Sequence, residues 1–270
     1  MNKFWFIPLV IAVHFLFSCD QQVQIEAIDE LSVEAYLYAN EVFGGLTVTR
    51  LVSLDSVEAT PAPTDLAPEI ITDLGERFSL RYNATTKRYE NADLMIEADR
   101  TYRLEIPYHG EIISAETFIP IAIQNLTLSQ TTYIMVEIND FTDLLNITPV
   151  DPLDIEWEAE EGAYYFVAFA NASSDPDPIN TFLPADLPPR FQRQSAPSTD
   201  PYYTIDVMRE AQYFDTYWVD IYRVNPEYVA LYEDNSSGTG TLNEIRTNVE
   251  NGFGIFTGIN RVRTSFLVKR

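Results

Sequence analysis

The strongest constraint on the fold is a two-residue rhythm in hydrophobicity, carried by short runs that turn-forming residues interrupt. Its clearest instance is Thr101–Tyr108, where Tyr102, Leu104 and Ile106 fall on one face, the pattern of a strand with one buried side. His109-Gly110-Glu111 supplies a turn, and Ile112–Ile119 runs on to Pro120. The rhythm is looser in Leu31–Tyr38 and resumes after Gly44-Gly45 at Leu46, Val48, Arg50, Val52 and Leu54. Phe78–Tyr82 is a further strand, whereas Glu69–Leu74 suggests a turn or so of helix. No segment is long and periodic enough for an extended helix. The 16 Tyr and 16 Phe favour strands through cross-strand packing. The fold class is all-β.

The rhythm continues past a boundary placed near 121–128. Thr131–Ile138 is strand-like, and Asn139–Pro149 is a polar loop. Leu153–Trp157 alternates cleanly and apolar Ala163–Ala170 follows. Further strands are predicted at Tyr202–Val207, Tyr213–Tyr222 and Tyr228–Tyr232, with Asn235–Gly240 as a break. Asn171–Pro201 holds seven prolines and is the longest irregular segment. Loops beyond about 12–15 residues often serve a function or remain mobile. The expected organisation is an immunoglobulin-like N-terminal sandwich over 31–122, then a second β-rich, sandwich-like domain over 123–270 with the long loop 171–201.

A different logic governs the first residues. Lys3 and the apolar run Phe4–Phe17 have the dimensions of an export signal, falling short of the about 20 residues a spanning helix needs. Leu16-Phe17-Ser18-Cys19 is similar to a lipobox, and Cys19 is the single cysteine of 270 residues. Residues 1–18 therefore read as a lipoprotein signal peptide, Cys19 as the lipid attachment site and 19–30 as a tether. One lipid-modified cysteine leaves no disulfide framework and no thiol for catalysis. Removing 1–18 takes away one lysine and no acid, so 16 basic residues face 41 acidic ones, a net of −25. Nucleic acid needs Lys and Arg to displace its counterions, which excludes it as a partner.

Catalytic chemistry finds little to work with. After signal removal His109 is the sole histidine, in a turn between Tyr108 and Gly110. That leaves no nucleophile-elbow arrangement and no set of zinc ligands. Calcium is the best-supplied metal, at Asp175 and Asp177 among prolines and at Asp234-Asn235-Ser236, although the spacing of an EF-hand is missing. Glu156, Glu158, Glu160 and Glu161 flank Trp157, and two carboxyls beside an aromatic platform are what a glycosidase uses. Alternation, however, puts Glu156 and Glu158 opposite Trp157, the geometry of a solvated edge. The aromatic run offers a candidate binding surface for a glycan or peptide. Tyr213 and Tyr217 fall on one strand face, and Phe214, Trp218 and Tyr222 on the other, with one of the two faces serving as core.

Several segments, taken in order, carry a family resemblance. A strand at Leu31–Leu37 follows the lipoprotein signal. Tyr102-Arg103-Leu104-Glu105-Ile106, Gly110 and Ala115-Glu116-Thr117-Phe118-Ile119-Pro120 form a strand, turn and closing strand. Val224-Asn225-Pro226-Glu227-Tyr228 and Tyr232 precede Asn248-Val249-Glu250-Asn251-Gly252-Phe253-Gly254-Ile255-Phe256. Together these resemble the exported Bacteroidetes lipoproteins catalogued as domain of unknown function 4249, with more compact central loops than longer members have.

The resemblance implies a lipid-anchored protein of the cell envelope, on an outer membrane whose face it leaves open. It hints at partnership with an outer-membrane receptor or envelope protein and carries over no catalytic residue. The expected function is thus a non-enzymatic binding or accessory component of an outer-membrane import system. An acid-residue glycosidase and a surface-assembly or adhesive module are the alternatives. The final motif also has a physical reading as a structural corner. Asn251-Gly252 is a turn pair with Gly252 expected at positive φ, Gly254 permits close backbone approach, Phe256 packs beside them, and Asn248 bonds a nearby backbone group.

Overall fold

The computed structural model describes residues 30–51, 62–183, 186–188, 191–236 and 247–270. The signal peptide, Cys19, tether residues 19–29, Val52 and Leu54 lie outside the described residues. So do residues 237–240 of the Asn235–Gly240 break and the side chains of Asp234-Asn235-Ser236.

The first part of the chain contains β1 (Leu31–Tyr38), β2 (Thr47–Arg50), β3 (Glu69–Thr72), β4 (Arg77–Ser79), β5 (Arg81–Asn83), β6 (Arg88–Glu90), β7 (Arg100–Tyr108) and β8 (Glu111–Ile119). The two-residue rhythm is kept: Leu31, Val33, Ala35 and Leu37 of β1 and Tyr102, Leu104 and Ile106 of β7 are buried. His109 and Gly110 both take positive φ, as a tight two-residue hairpin between β7 and β8 requires. Glu69–Leu74 does not make the helical turn expected of it. Its first four residues are β3, which lies between β4 and β7 with Ile70 and Ile71 buried.

The second part contains β9 (Thr127–Leu128), β10 (Thr132–Ile134), α1 (Phe141–Leu145), β11 (Leu153–Glu156), β12 (Tyr164–Asn171), β13 (Arg193–Gln194), β14 (Tyr202–Ile205), α2 (Val207–Glu210), β15 (Asp215–Val224), α3 (Pro226–Ser236), β16 (Val249–Glu250) and β17 (Phe253–Lys269). Tyr228–Tyr232, read above as a strand, lies inside α3. The Asn225 carbonyl accepts hydrogen bonds from the amides of Tyr228 and Val229. Pro226 occupies the first helical position, where a missing N–H costs nothing.

The architecture is β-rich and multi-sheeted. One large sheet runs β13-β12-β15-β17-β1-β2, with β10 also on β17. Two smaller sheets, β16-β8-β7-β3-β4 and β14-β11-β9, supply the opposing layers. The first core joins β1, β7 and β8 residues to Val249 and Phe256 from the C-terminal segment. The second joins Leu153, Ile155 and Trp157 to Val167, Phe169, Val219, Ile221, Phe266 and Val268. Phe256 and Phe266 are both even-numbered residues of β17, so one face of this strand feeds both cores. The other face of the sheet gathers Phe166, Val224 and Ile259, with Tyr36, Tyr38, Tyr222 and Tyr228 packed against them, Tyr228 coming from α3.

Candidate functional site

A concave apolar feature sits beside β10. It is a cleft of about 390 Å³ whose apolar lining includes Ile134, Val136, Ile138, Leu144, Ile147, Val150, Ile179, Leu183, Met208 and Ala211. Asp143, Asn180, Asp186, Arg209 and Gln212 add polar points to the lining. Volume and composition match the range of about 300–1,000 Å³, mostly apolar with a few polar groups, typical of ligand pockets.

Local sequence explains how each wall is held. Asp140 caps α1 by accepting from the amides of Thr142 at 2.7 Å and Asp143 at 3.0 Å. Such capping contributes about 1 kcal/mol. At α2, Asp206 accepts from the Arg209 amide while Glu210 accepts from the Asp206 amide, a reciprocal cap like a capping box with its acid one residue later. The third wall comes from the long loop. The Ile179 carbonyl accepts from the Ile138 amide, the Ile138 carbonyl accepts from the Thr181 amide, and the Ile179 amide donates to the Gln212 carbonyl. Residues 179–181 are thereby fixed between β10's continuation and α2.

The mouth is apolar as well. Ile134 is 66% exposed, Val136 71% and Leu183 46%, and Phe141 and Leu145 of neighbouring α1 are also open to solvent. Single exposed apolar residues are ordinary, but a contiguous group at the mouth of an apolar cleft marks an interaction site.

The aromatic residues singled out from the sequence do not form one surface. Tyr213 and Tyr217 are buried, with Tyr217 stacked on Phe266 at 5.0 Å between ring centroids. Burial pushes the Tyr217 phenol upward in pKa. Tyr222 stacks on Phe166 at 4.4 Å, and Phe166 stacks in turn on Tyr228 of α3. Trp218 alone of the four is exposed, at 42%. The Arg263 guanidinium lies 5.5 Å above its ring, and Arg263 also binds both carboxylate oxygens of buried Asp220, at 2.7 and 2.8 Å. Alternation holds along β15 itself, with Tyr217 in the second core and Tyr222 on the opposite face, but Phe214, expected beside Trp218 and Tyr222, precedes the strand and joins Tyr217 in the second core.

The C-terminal motif is built into the first core. Asn251, not Gly252, takes the positive φ, at 56°. An amide side chain that bonds locally tolerates that region, and here Asn251 Nδ2 donates to the Ile112 carbonyl. A Cβ on Gly252 would lie 3.1 Å from the Leu31 carbonyl oxygen, so the second residue of the pair is small to make room. Gly254 has φ of 107°, and a Cβ there would sit 1.9 Å from the Val33 carbonyl oxygen. The Asn248 carboxamide donates to the Phe256 carbonyl at 2.7 Å and accepts from the Phe256 amide at 3.1 Å.

This ordered motif, the first core, the cleft and all of the second core except Phe266 and Val268 fall inside one family match. A model described as Domain of unknown function (DUF4249) matches residues 22–265. The chain belongs to this family. A search of curated proteins found no match. The DUF4249 description assigns no activity, so the chemistry has to be read from geometry.

In this DUF4249 chain the acid cluster around Trp157 is not assembled as a sugar-cleaving cleft. Trp157 is buried in the second core, edge-on to Tyr165. Glu158 accepts from Asn125 Nδ2 at 2.6 Å, and Glu160 pairs with Arg223. Asp177, one of the calcium candidates, is paired with Arg270, while Asp175 takes part in a local serine turn. Among the described residues no group of three or more His, Cys, Asp or Glu side chains is placed to hold a metal. His109 is the turn residue the sequence suggested, with its ring edge-on to Tyr108.

The cleft itself went unseen in the sequence. Its residues come from four separated segments, and the exposed Ile134 and Val136 alternate like any half-buried strand. The one available hint was the length of the 171–201 loop.

Proposed function

We propose that this DUF4249 protein is a non-enzymatic binding protein of the bacterial cell envelope, anchored through lipid on Cys19, with the apolar cleft as its ligand seat. The observation that carries this reading is the 390 Å³ apolar cleft opening between exposed Ile134, Val136 and Leu183. Burial of apolar surface stabilises a complex by about 25 cal/mol per Å² before association costs are subtracted. A cleft of this kind thus supplies binding without any reacting group. In the finer form of the proposal, the first unit is an immunoglobulin-like sandwich that carries the cleft-bearing unit away from the membrane. The protein then serves an outer-membrane import system as a binding or accessory component.

An uncharged apolar dye, N-phenyl-1-naphthylamine, tests the seat. The mature protein should raise its fluorescence saturably, and Val136→Asp and Leu183→Asp should abolish the response while the circular dichroism spectrum stays unchanged. An undiminished response in both variants would contradict the assignment. The anchor is tested separately: fatty-acid label should enter the wild-type protein and not Cys19→Ser, and equal labelling would refute it.

A further inference from the structure

Two free edges in the same sheet are treated differently. On β17 the Ile259 carbonyl accepts from the Ala39 amide, so odd-numbered residues turn their backbone groups toward β1. Even-numbered ones turn away, and before residue 259 β15 does not reach them. Side chains close that edge. Thr247 Oγ1 donates to the Gly254 carbonyl, Asn248 bonds both backbone groups of Phe256, and the Gly258 amide donates to Thr117 Oγ1.

Among the described residues, no such closure exists on β10. The Leu267 amide donates to the Thr131 carbonyl and the Met135 amide to the Lys269 carbonyl. The register Thr132↔Leu267, Tyr133↔Val268, Ile134↔Lys269 therefore uses odd-numbered β10 residues and turns the backbone of Ile134 outward. Among the described residues, no hydrogen bond engages the amide or carbonyl of Val136. At Ile138 the outer edge is taken again, by Ile179 and Thr181. The gap at residues 134 and 136 thus lies directly on the mouth of the cleft. Natural sheet edges are ordinarily blunted by charge, proline or a covering element, whereas this one presents Ile and Val.

We infer that the cleft receives an extended peptide, which adds as a strand to the outer edge of β10 and sinks an apolar side chain into the cavity. The inference rests on the cleft being the ligand seat and specifies its occupant. Unpaired backbone donors and acceptors beside an apolar pocket are the recognition elements of strand addition: backbone pairing supplies affinity and the pocket selects alternate side chains. Charge narrows the class further. Asp143 and Asp186 stand against Arg209 in the lining, on a chain of formal net charge −24. The favoured peptide carries basic residues beside its apolar ones.

The test uses the mature protein and a fluorescein-labelled peptide of alternating leucine and threonine with lysine at each end. Binding is followed by fluorescence anisotropy. Two further peptides carry N-methyl groups on the leucine amides or on the threonine amides. Strand addition predicts that one N-methyl register abolishes binding and the other preserves it. Val136→Pro removes an outward amide that bonds nothing in the free protein. It should weaken the peptide about tenfold, equivalent to about 1.4 kcal/mol, with Tm unchanged. Met135→Pro, which breaks the bond to Lys269, should lower Tm instead. Equal binding of both N-methylated peptides, or wild-type affinity in Val136→Pro, would overturn the inference. If the peptide fails to bind while the apolar dye still does, the strand-addition inference falls and the seat stands. If neither binds, both fall.

Discussion

Among the described residues no strand covers one edge of β17 at 254–258 or one edge of β10 at 134–136, yet the chain handles the two in opposite ways. Along the first, Thr247, Asn248 and Thr117 place side-chain donors and acceptors against the backbone. Along the second, the side chains are Ile and Val, 66% and 71% exposed. Both edges face the same physical problem, since unpaired amides and carbonyls are costly when buried and adhesive when exposed. Spending three polar side chains on one edge and none on the other separates scaffold from seat. The difference also explains why the best-marked sequence motif is structural and the apolar cleft has no motif.

The sharpest way to break the scaffold side of this comparison is Gly254→Val. Its Cβ would meet the Val33 carbonyl oxygen at 1.9 Å, at a φ of 107° that side chains rarely adopt. β1 and β17 must separate to admit it, so a loss of more than about 4 kcal/mol is expected. Thermal unfolding or soluble yield would register it, and a Tm near wild type would refute the packing. Gly252→Ala should be milder, because its contacts lie at 3.1 Å and its φ is ordinary.

Asn248→Ala comes next. It leaves the amide and carbonyl of Phe256 without their partner in a half-buried place, and each unsatisfied group costs about 1–3 kcal/mol. A total near 2 kcal/mol is expected in denaturant melts, with apolar-dye binding unchanged. Loss of binding at unchanged stability would instead move the ligand seat to the motif.

On the other side of the comparison, Val136→Asp and Leu183→Asp should leave stability within about 0.5 kcal/mol, as exposed substitutions usually do. Dye binding, not the melt, should report them. A large drop in Tm would mean that this mouth is core.

The smallest effect belongs to the aromatic face under α3. Burial, with Glu34 beside it, pushes the Tyr36 phenol up to about 12, and burial also raises Tyr38, Tyr222 and Tyr228. A raised folded-state pKa favours the protonated form in the fold. The contribution is therefore complete below the unfolded value near 10 and is lost as pH rises toward about 12. Tyr36→Phe should flatten the fall in stability between those limits and leave neutral-pH stability nearly unchanged. An identical alkaline slope in both proteins would show that Tyr36 does not contribute to it.

The alternation in β1, β7, β8 and β11 was legible because each has one buried and one wetter face, the situation that writes a two-residue rhythm into sequence. Gly254 was legible as a close approach for a similar reason: few residues fit a backbone pressed against a carbonyl. Gly258, whose Cβ would lie 2.3 Å from the Phe118 carbonyl oxygen, carried no turn partner to draw attention to it. Helix α3 was missed because its tyrosines could pass for strand residues. Tyr213, Tyr217 and Tyr222 drew attention as a cluster, but whether an aromatic face is covered depends on elements remote in sequence. The cleft was illegible for the same reason: its walls meet only after β10, α1, the long loop and α2 have come together.

The most direct test of the account is amide chemical-shift mapping of the mature protein as N-phenyl-1-naphthylamine is added. If the open edge is the mouth of the seat and the closed edge is scaffold, perturbations will concentrate at residues 134–138, 143–150, 179–183 and 208–212. Residues 248–256 and the Trp218 indole will be undisturbed. Saturable shifts centred on Trp218 and Tyr222, with none along 134–138, would contradict the assignment and return the binding surface to the aromatic face of β15.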